Sequence, residues 1–236
     1  PEHLDYYDGK FKDYANAKSN ITKYQTATDF LIYNAADPIV SRIAKKSKAQ
    51  KIPFGDRGLT STNEVKPQNP RSPWVASAEP AVLVGKLFGI PDKKIQQAIR
   101  NFKPLPHRLE RVGEWKGITF YNDSLATIPE ATCAALDLLG SKVHTLVAGG
   151  FDRGLTFEKL GEKIGESSIK TLILFPTTGE KILASIQKSA CAGRPPQCFF
   201  VNSMKEAVQL SYAHTPKEKI CLLSPAASSF NMFKDY

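Results

Sequence analysis

The sequence predicts an α/β protein built on a mostly parallel sheet with helices packed on both faces, and three observations carry that prediction. In the second half, five short apolar runs alternate with four helical patterns. The runs are β-branched or aromatic, as strands buried on both faces are. Several of the helices open on a recognisable start signal. Strand–helix alternation of this kind implies parallel strands joined by crossover helices.

Taken from the N-terminus, "DFLIYNAADPIVSRIAKKS" reads as a strand over 30–33, a turn at Ala36-Asp37-Pro38 and a helix, and "KIPFG" as a further short strand. Residues 56–72 are polar and rich in Gly, Asn and Pro, which predicts a loop or weak strands. Two helices follow, over 78–88 and 93–102, the second opened by Pro91-Asp92. Two prolines in "FKPLPHR" favour an extended linker, which places a domain boundary between 1–104 and 105–236. Beyond it the strands fall at 118–121, 144–148, 171–175, 198–201 and 220–223, and the helices at 130–139, 156–164, 180–187 and 204–213. In the first of these helices Ala131, Ala134, Ala135 and Leu138 recur at i, i+3, i+4 and i+7, the pattern of a buried face. Thr156, Ser203 and Thr178-Gly179-Glu180 mark later helix starts.

A chain of 236 residues suits one large or two modest domains, and 42% hydrophobic residues suffice for a core. No apolar run reaches the ~18 residues that a spanning helix requires. The sequence opens on Pro1, with neither Met nor an apolar leader, and is expected to be a piece of a longer protein. Cys133, Cys191, Cys198 and Cys221 form no CxxC pair and no metal-like spacing with the four His. Cys133 and Cys221 lie in apolar runs and are expected to be buried free thiols, which suits a reducing, cytoplasmic setting. The net charge of +9 is uneven: residues 1–104 carry 17 Lys+Arg against 10 Asp+Glu, and residues 105–236 carry 15 against 13. Such an excess attracts polyanions. The one dense run, "KKSKAQK" at 45–51, has no interleaved aromatics and reads as a solvated helix face. A monomer without nucleic-acid or membrane partners is expected.

In an open parallel sheet, ligands sit outside the carboxyl ends of the strands. Three such ends are unusually polar: "NDSLAT" after Tyr121, "GGFDRG" (149–154) after "HTLVA", and "SPAASSFNMF" (224–233) after "CLL". Each leads toward a helix N-terminus, where backbone N–H groups favour anions. One polar loop is ordinary turn chemistry; three in one sheet point to a site. In "GGFDRG" two glycines admit close approach of a ligand, and Arg153 can grip a carboxylate through two parallel N–H bonds. No Gly-Lys-Ser/Thr occurs in the chain, so this is not a phosphate loop of that kind. In "HRLERV", Arg108 falls at the linker, within reach of an interdomain phosphate or of Glu110. His3 and Lys18 carry no role taken alone.

Together, "PEHLDYY" with Lys18 in "YANAKSNI", "NAADP", "LPHRLERVGE", "FYNDSLATIPEAT", "AGGFDRGLTFEKL" and "LLSPAASSFNMFKDY" resemble the Mur ligases of peptidoglycan synthesis, and among them the branch that joins D-glutamate to UDP-N-acetylmuramoyl-L-alanine. The resemblance implies a Rossmann-like C-terminal domain preceded by part of an α/β central domain. Residues 1–104 would be the later part of the ATP-binding domain and residues 105–236 most of the amino-acid-binding domain. It implies an acid–amino-acid ligase of cell-wall synthesis that uses ATP and Mg²⁺ and passes through an acyl phosphate. It also implies roles. His3 would ligate metal, and Lys18 would be carbamylated, supplying an anionic oxygen to a hard cation. Arg108 and Asp123 would contact the nucleotide, and Thr127, Arg153, Ser229, Phe230 and Tyr236 would hold D-glutamate.

The chain departs from the family's pattern at several points. Leu125 stands where a lysine is usual, Arg153 replaces a lysine, and Asn231 replaces an aspartate. "SPWVASAEP" (72–80) stands where an asparagine-containing adenine contact is usual. The family's phosphate loop and UDP-sugar domain would precede Pro1, so this stretch alone is expected not to turn over. Two other readings stay open: an amide ligase for another amino acid, of the folylpolyglutamate-synthase kind, and a non-catalytic anion-binding module.

Overall fold

The computed structural model describes residues 4–55, 75–102, 105–189 and 195–229. The chain divides into two compact units, Pro1–Lys103 and Pro104–Tyr236.

In the first unit a short 3-10 turn (Leu4–Tyr7) leads into helix α1 (Phe11–Ser19). Strands β1 (Phe30–Asn34) and β2 (Gln50–Phe54) pair in parallel, with Phe30 opposite Gln50, and helix α2 (Pro38–Lys45) connects them. The start of α2 follows from its residues. Asp37 Oδ1 accepts from the N–H groups of Ile39 (2.8 Å) and Val40 (3.1 Å), and Pro38 fills a position whose N–H needs no partner. Arg42 and Lys45 sit in the last turn, where the helix dipole favours cations. Leu31, Ala44 and Ala49 form a small core with Tyr33 against it. Helices α3 (Val75–Leu87) and α4 (Asp92–Asn101) pack through Val82, Ile95 and Ile99.

The second unit is a six-stranded sheet with four helices of eight or more residues among those described. In chain order its elements are β3 (Glu110–Trp115), β4 (Ile118–Asn122), α5 (Pro129–Leu139), β5 (Val143–Gly149), α6 (Glu158–Gly165), β6 (Thr171–Phe175), α7 (Thr178–Lys188), β7 (Gln197–Phe200), α8 (Met204–His214) and β8 (Ile220–Leu223). The strand order is β3-β4-β8-β5-β6-β7; every pairing is parallel except β3 with β4. Strand alternation sorts the core into two layers. Leu146, Leu172, Leu174 and Leu222 face Leu136 of α5, Leu160 and Ile164 of α6, and Ile182 and Ile186 of α7. Val147, Ile173, Phe175 and Cys221 face the other way, toward Ala207 of α8. Helices α6 and α7 cross closely at Gly161, where a Cβ would stand 2.7 Å from Ser185 O.

Several sequence expectations require correction. Residues 110–115, to which the sequence reading assigned no element, form an antiparallel edge strand. Five of its six residues are exposed, so it lacks the apolar alternation that announces a strand. The buried side of α5 is Pro129, Thr132, Ala135 and Leu136; of the expected face only Ala135 is buried, while Ala131 and Leu138 are half-buried and Ala134 is exposed. A run of alanines has little preference for one face, and the Thr132 hydroxyl has buried partners. Thr156 does not cap α6, which starts at Glu158 after a buried Phe157. The "KKSKAQK" run is not one helix face: Lys45 ends α2, Ser47 and Ala49 are buried, and Lys51 belongs to β2. Cys221 is buried as expected, and burial pushes its thiol up to about 11, so it stays protonated and inert. Cys133 is only half-buried. The expected loop at 56–72 lies outside the described residues. No described helix is long and apolar enough to cross a membrane.

Candidate active site

The three polar strand ends belong to β4, β8 and β5, which are neighbours and run in the same direction. Parallel pairing therefore delivers "NDSLAT", "SPAASS" and "GGFDRG" to one edge of one sheet. The backbone ties them together. Asp123 N–H donates to Leu223 O (2.7 Å), Ser224 N–H to Val147 O (3.0 Å), Gly149 N–H to Pro225 O (2.8 Å), and Phe151 N–H to Ser228 O (2.7 Å). Gly149 has φ +100, and a Cβ there would stand 2.3 Å from Phe175 O, so only glycine lets β5 end this close to its neighbour.

Asp123 is the buried charge of this edge, 9% exposed. Its Oδ1 accepts from Leu109 N–H (3.0 Å) and its Oδ2 from the Ser224 hydroxyl (2.8 Å). Burial pushes its carboxyl above the usual aspartate value; the Ser224 and Leu109 bonds, with the Arg108 guanidinium, pull it back toward ionisation. The segment that supplies Leu109 is itself strained. His107 and Leu109 have φ of 64° and 47°, rare for residues with a Cβ. The strain is held by bonds: His107 N–H to Glu110 Oε2 (2.8 Å), Leu125 N–H to His107 O (3.2 Å), and a 2.8 Å contact between His107 Nδ1 and Asn122 Nδ2. Strain of this kind persists where the surroundings over-determine it, and such places cluster at functional sites.

The sequence-predicted residues fall as follows. Arg108 is exposed on the segment beside Asp123, close enough for its charge to act on that carboxyl. Thr127 and Arg153, both partly buried, stand on the loops after β4 and β5, and Ser229 on the loop after β8, all at the same sheet edge. Asp152, next to Arg153, is bound to Lys181 of α7 and accepts from Gly154 N–H (3.0 Å); these bonds hold its carboxyl below the usual range. Lys18 is exposed on α1, its ammonium 5.5 Å above the Tyr14 ring. His3, Phe230 and Tyr236 lie outside the described residues. A cavity of about 310 Å³ lies elsewhere, on the α8 face of the sheet, among Trp115, Phe120, Val147, Val208, Tyr212 and Cys221. Its lining is almost wholly apolar, without the convergent polar groups of a recognition site.

The glutamate ligase domain of Mur ligases matches residues 107–227, just over half the chain, and their middle domain matches residues 1–74. The chain belongs to the Mur ligase family. The UDP-N-acetylmuramoylalanine--D-glutamate ligase of Caldanaerobacter subterraneus subsp. tengcongensis is 32% identical over 255 residues, covering 100% of this chain and 55% of that protein. This Mur ligase chain thus spans about half the length of the curated relatives it matches. Among solved structures, the UDP-N-acetylmuramoylalanyl-D-glutamyl-2,6-diaminopimelate--D-alanyl-D-alanyl ligase of Acinetobacter baumannii superposes with a TM-score of 0.66 at 16% identity, over 93% of this chain and 52% of that one. A bifunctional folylpolyglutamate synthase/dihydrofolate synthase with Mn, AMPPNP and L-glutamate bound gives 0.61 at 14% identity, over 92% and 55%. At such identities the likeness is one of fold.

Sequence reasoning did not single out two residues that build this Mur ligase edge, Ser224 and Thr132. Ser224 directly follows a buried strand, a signal available in "CLLS". Thr132 occupies an inward position on a helix whose apolar residues suggested another face.

Proposed function

We propose that the protein of which this chain is part is an ATP-dependent amide ligase that joins D-glutamate to UDP-N-acetylmuramoyl-L-alanine. The observation that carries the proposal is the convergence of three polar strand ends on one sheet edge, in a chain matched along its whole length by a D-glutamate ligase. In this reading ATP phosphorylates the substrate carboxylate, the amine of D-glutamate attacks the acyl phosphate, and phosphate leaves. The task of the protein is to neutralise phosphate charge and to hold amine and acyl carbon in line.

Residues 1–104 would be the later part of the ATP-binding domain and 105–236 most of the amino-acid-binding domain. Arg108 would face phosphate or ribose oxygens, and Asp123, an acceptor when ionised, would take a hydroxyl or amino donor of the nucleotide. Thr127, Arg153, Ser229, Phe230 and Tyr236 would hold D-glutamate, with Arg153 on a carboxylate. An ammonium cannot ligate a metal, so Lys18 fits a Mg²⁺ site only as a carbamate, and its exposure on α1 leaves the amine open to that reaction. His3 and carbamylated Lys18 would then offer one nitrogen and one oxygen; the carbamate oxygen is the hard donor that Mg²⁺ prefers, and water and phosphate oxygens would fill the rest of its shell. The ion would supply charge neutralisation at the transferred phosphoryl group. The protein would act as a cytoplasmic monomer.

The test is amino-acid-dependent phosphate release by the full-length protein, with UDP-N-acetylmuramoyl-L-alanine as acceptor. Release stimulated by D-glutamate, and not by L-alanine or L-glutamate, is the expected result. Stimulation by L-glutamate on a folate acceptor would replace this reading with the folylpolyglutamate kind. Salt-sensitive DNA binding without turnover would replace it with an anion-binding module.

A further inference from the structure

Three buried side chains from three elements meet behind the proposed nucleotide contact. Asp123 directly follows β4, Ser224 directly follows β8, 101 residues later, and Thr132 lies in the first turn of α5. Ser224 and Thr132 are both 0% exposed. Ser224 Oγ stands 2.8 Å from Asp123 Oδ2 and 2.9 Å from Thr132 Oγ1, and Thr132 Oγ1 donates to Ser224 O at 3.3 Å. We propose that Ser224 is a positioning residue for the ligase reaction: its hydroxyl, seated by Thr132, fixes the Asp123 carboxylate in the orientation in which it meets the nucleotide. The proposal rests on the ligase reading above and extends it to two residues that touch no substrate.

Proton counting sets the direction of the relay. Ser224 has one hydroxyl proton and two oxygen neighbours. An ionised carboxylate can only accept, so that proton goes to Asp123. Thr132 then has its own proton for the oxygens of Ser224, which holds the serine in the rotamer that serves Asp123. With Leu109 N–H on Oδ1, both carboxylate oxygens are pinned and the group cannot turn. Position and charge are linked here. The groups facing Asp123 are the hydroxyl from β8, the N–H of Leu109 and the charge of Arg108; all three favour the ionised form against burial. Deleting the Ser224 hydroxyl frees the carboxylate to rotate and removes one of the three groups that keep it ionised.

A merely structural role would also place a satisfied network between strands, so the test must read more than stability. In the full-length protein, Ser224→Ala is expected to raise KM for ATP ~10-fold, the worth of one bond to a charged group, while KM for the amino acid moves less than twofold. The acid limb of kcat/KM for ATP is expected to shift to higher pH, because loss of a donor raises the pH at which Asp123 takes a proton. Thr132→Val, nearly isosteric, is expected to shift both quantities the same way by a smaller factor, and it carries the test alone should Ser224→Ala not fold. Variants that lose thermal stability while KM for ATP and the acid limb stay at wild-type values overturn the proposal. Wild-type protein that shows no amino-acid-dependent ATP turnover overturns the ligase reading itself, a separate outcome.

Discussion

Gly150 and Thr178 are locked to each other in both directions. Gly150 N–H donates to Thr178 Oγ1 at 2.9 Å, and Gly150 O accepts from Thr178 N–H at 3.0 Å and from its hydroxyl at 3.1 Å. Thr178 is 1% exposed, and the pair joins the loop after β5 to the first residue of α7. Thr178→Val keeps the shape and removes the hydroxyl, leaving a buried N–H facing a methyl group. We expect a loss of about 1–3 kcal/mol, read as a lower urea midpoint at unchanged slope, with Thr178→Ser recovering most of it. Equal midpoints for Thr178→Val and wild type would refute the account.

Ser228 presents the opposite situation. It is 4% exposed and its hydroxyl has no hydrogen-bond partner among the described residues. A buried polar group without a partner destabilises by about 1–3 kcal/mol, so Ser228→Ala is expected to leave stability unchanged or to raise it by up to about that amount. Thermal denaturation of the two proteins at one pH decides the matter. A clear fall in midpoint for the alanine variant would show that the hydroxyl is satisfied, for instance by a buried water.

These two serine and threonine sites show what was legible in the sequence. Strands β5, β6 and β8 were legible because they are buried almost throughout and read as short apolar runs; "TLILF" is all buried and marks β6 at both ends. Ser203 was legible as a cap because Ser followed three residues later by Glu is a local signal, and Glu206 N–H does donate to Ser203 Oγ at 3.2 Å. That three polar loops share an edge followed from parallel pairing alone. The Thr132–Ser224–Asp123 contact was not legible, because it joins residues about a hundred positions apart and depends on the rotation of α5. A period of 3.6 cannot fix that rotation in a helix holding three alanines. Strand β3 escaped because an exposed edge strand has no buried face to give it a period.

Arg153 stands where the family pattern has a lysine, and its side chain offers a planar fork rather than a point charge. If it receives the incoming amino acid's carboxylate, Arg153→Ala removes a charge-assisted bond. At ~1.5–3 kcal/mol this corresponds to a rise of roughly 10–100-fold in KM for the amino acid. KM for ATP should change little. Arg153→Lys keeps the charge and loses the paired geometry, so an intermediate rise is expected. Steady-state kinetics on the full-length protein with each substrate varied in turn would show it; a change confined to KM for ATP would place Arg153 on the nucleotide instead.

His144 provides a prediction about pH that is independent of catalysis. It sits in β5, and partial burial, followed by the charges of Lys219 and Lys170, lowers its affinity for a proton below that of an ordinary histidine. The unfolded chain takes up that proton near pH 6.5, while the folded chain resists it to lower pH. Between those two values the unfolded state binds more protons, so stability rises with pH there. The contribution of His144 is therefore fully present above about pH 6.5 and is lost as pH falls through that value toward the lowered one. His144→Gln has no proton to gain and should flatten this part of the curve. Urea midpoints measured from pH 8 to pH 5.5 are expected to fall more for wild type than for the variant, with the difference opening below about pH 6.5. Parallel curves across that range would mean that the imidazole titrates as freely in the folded chain as in the unfolded one, and that neither the burial nor the two lysines act on it as described.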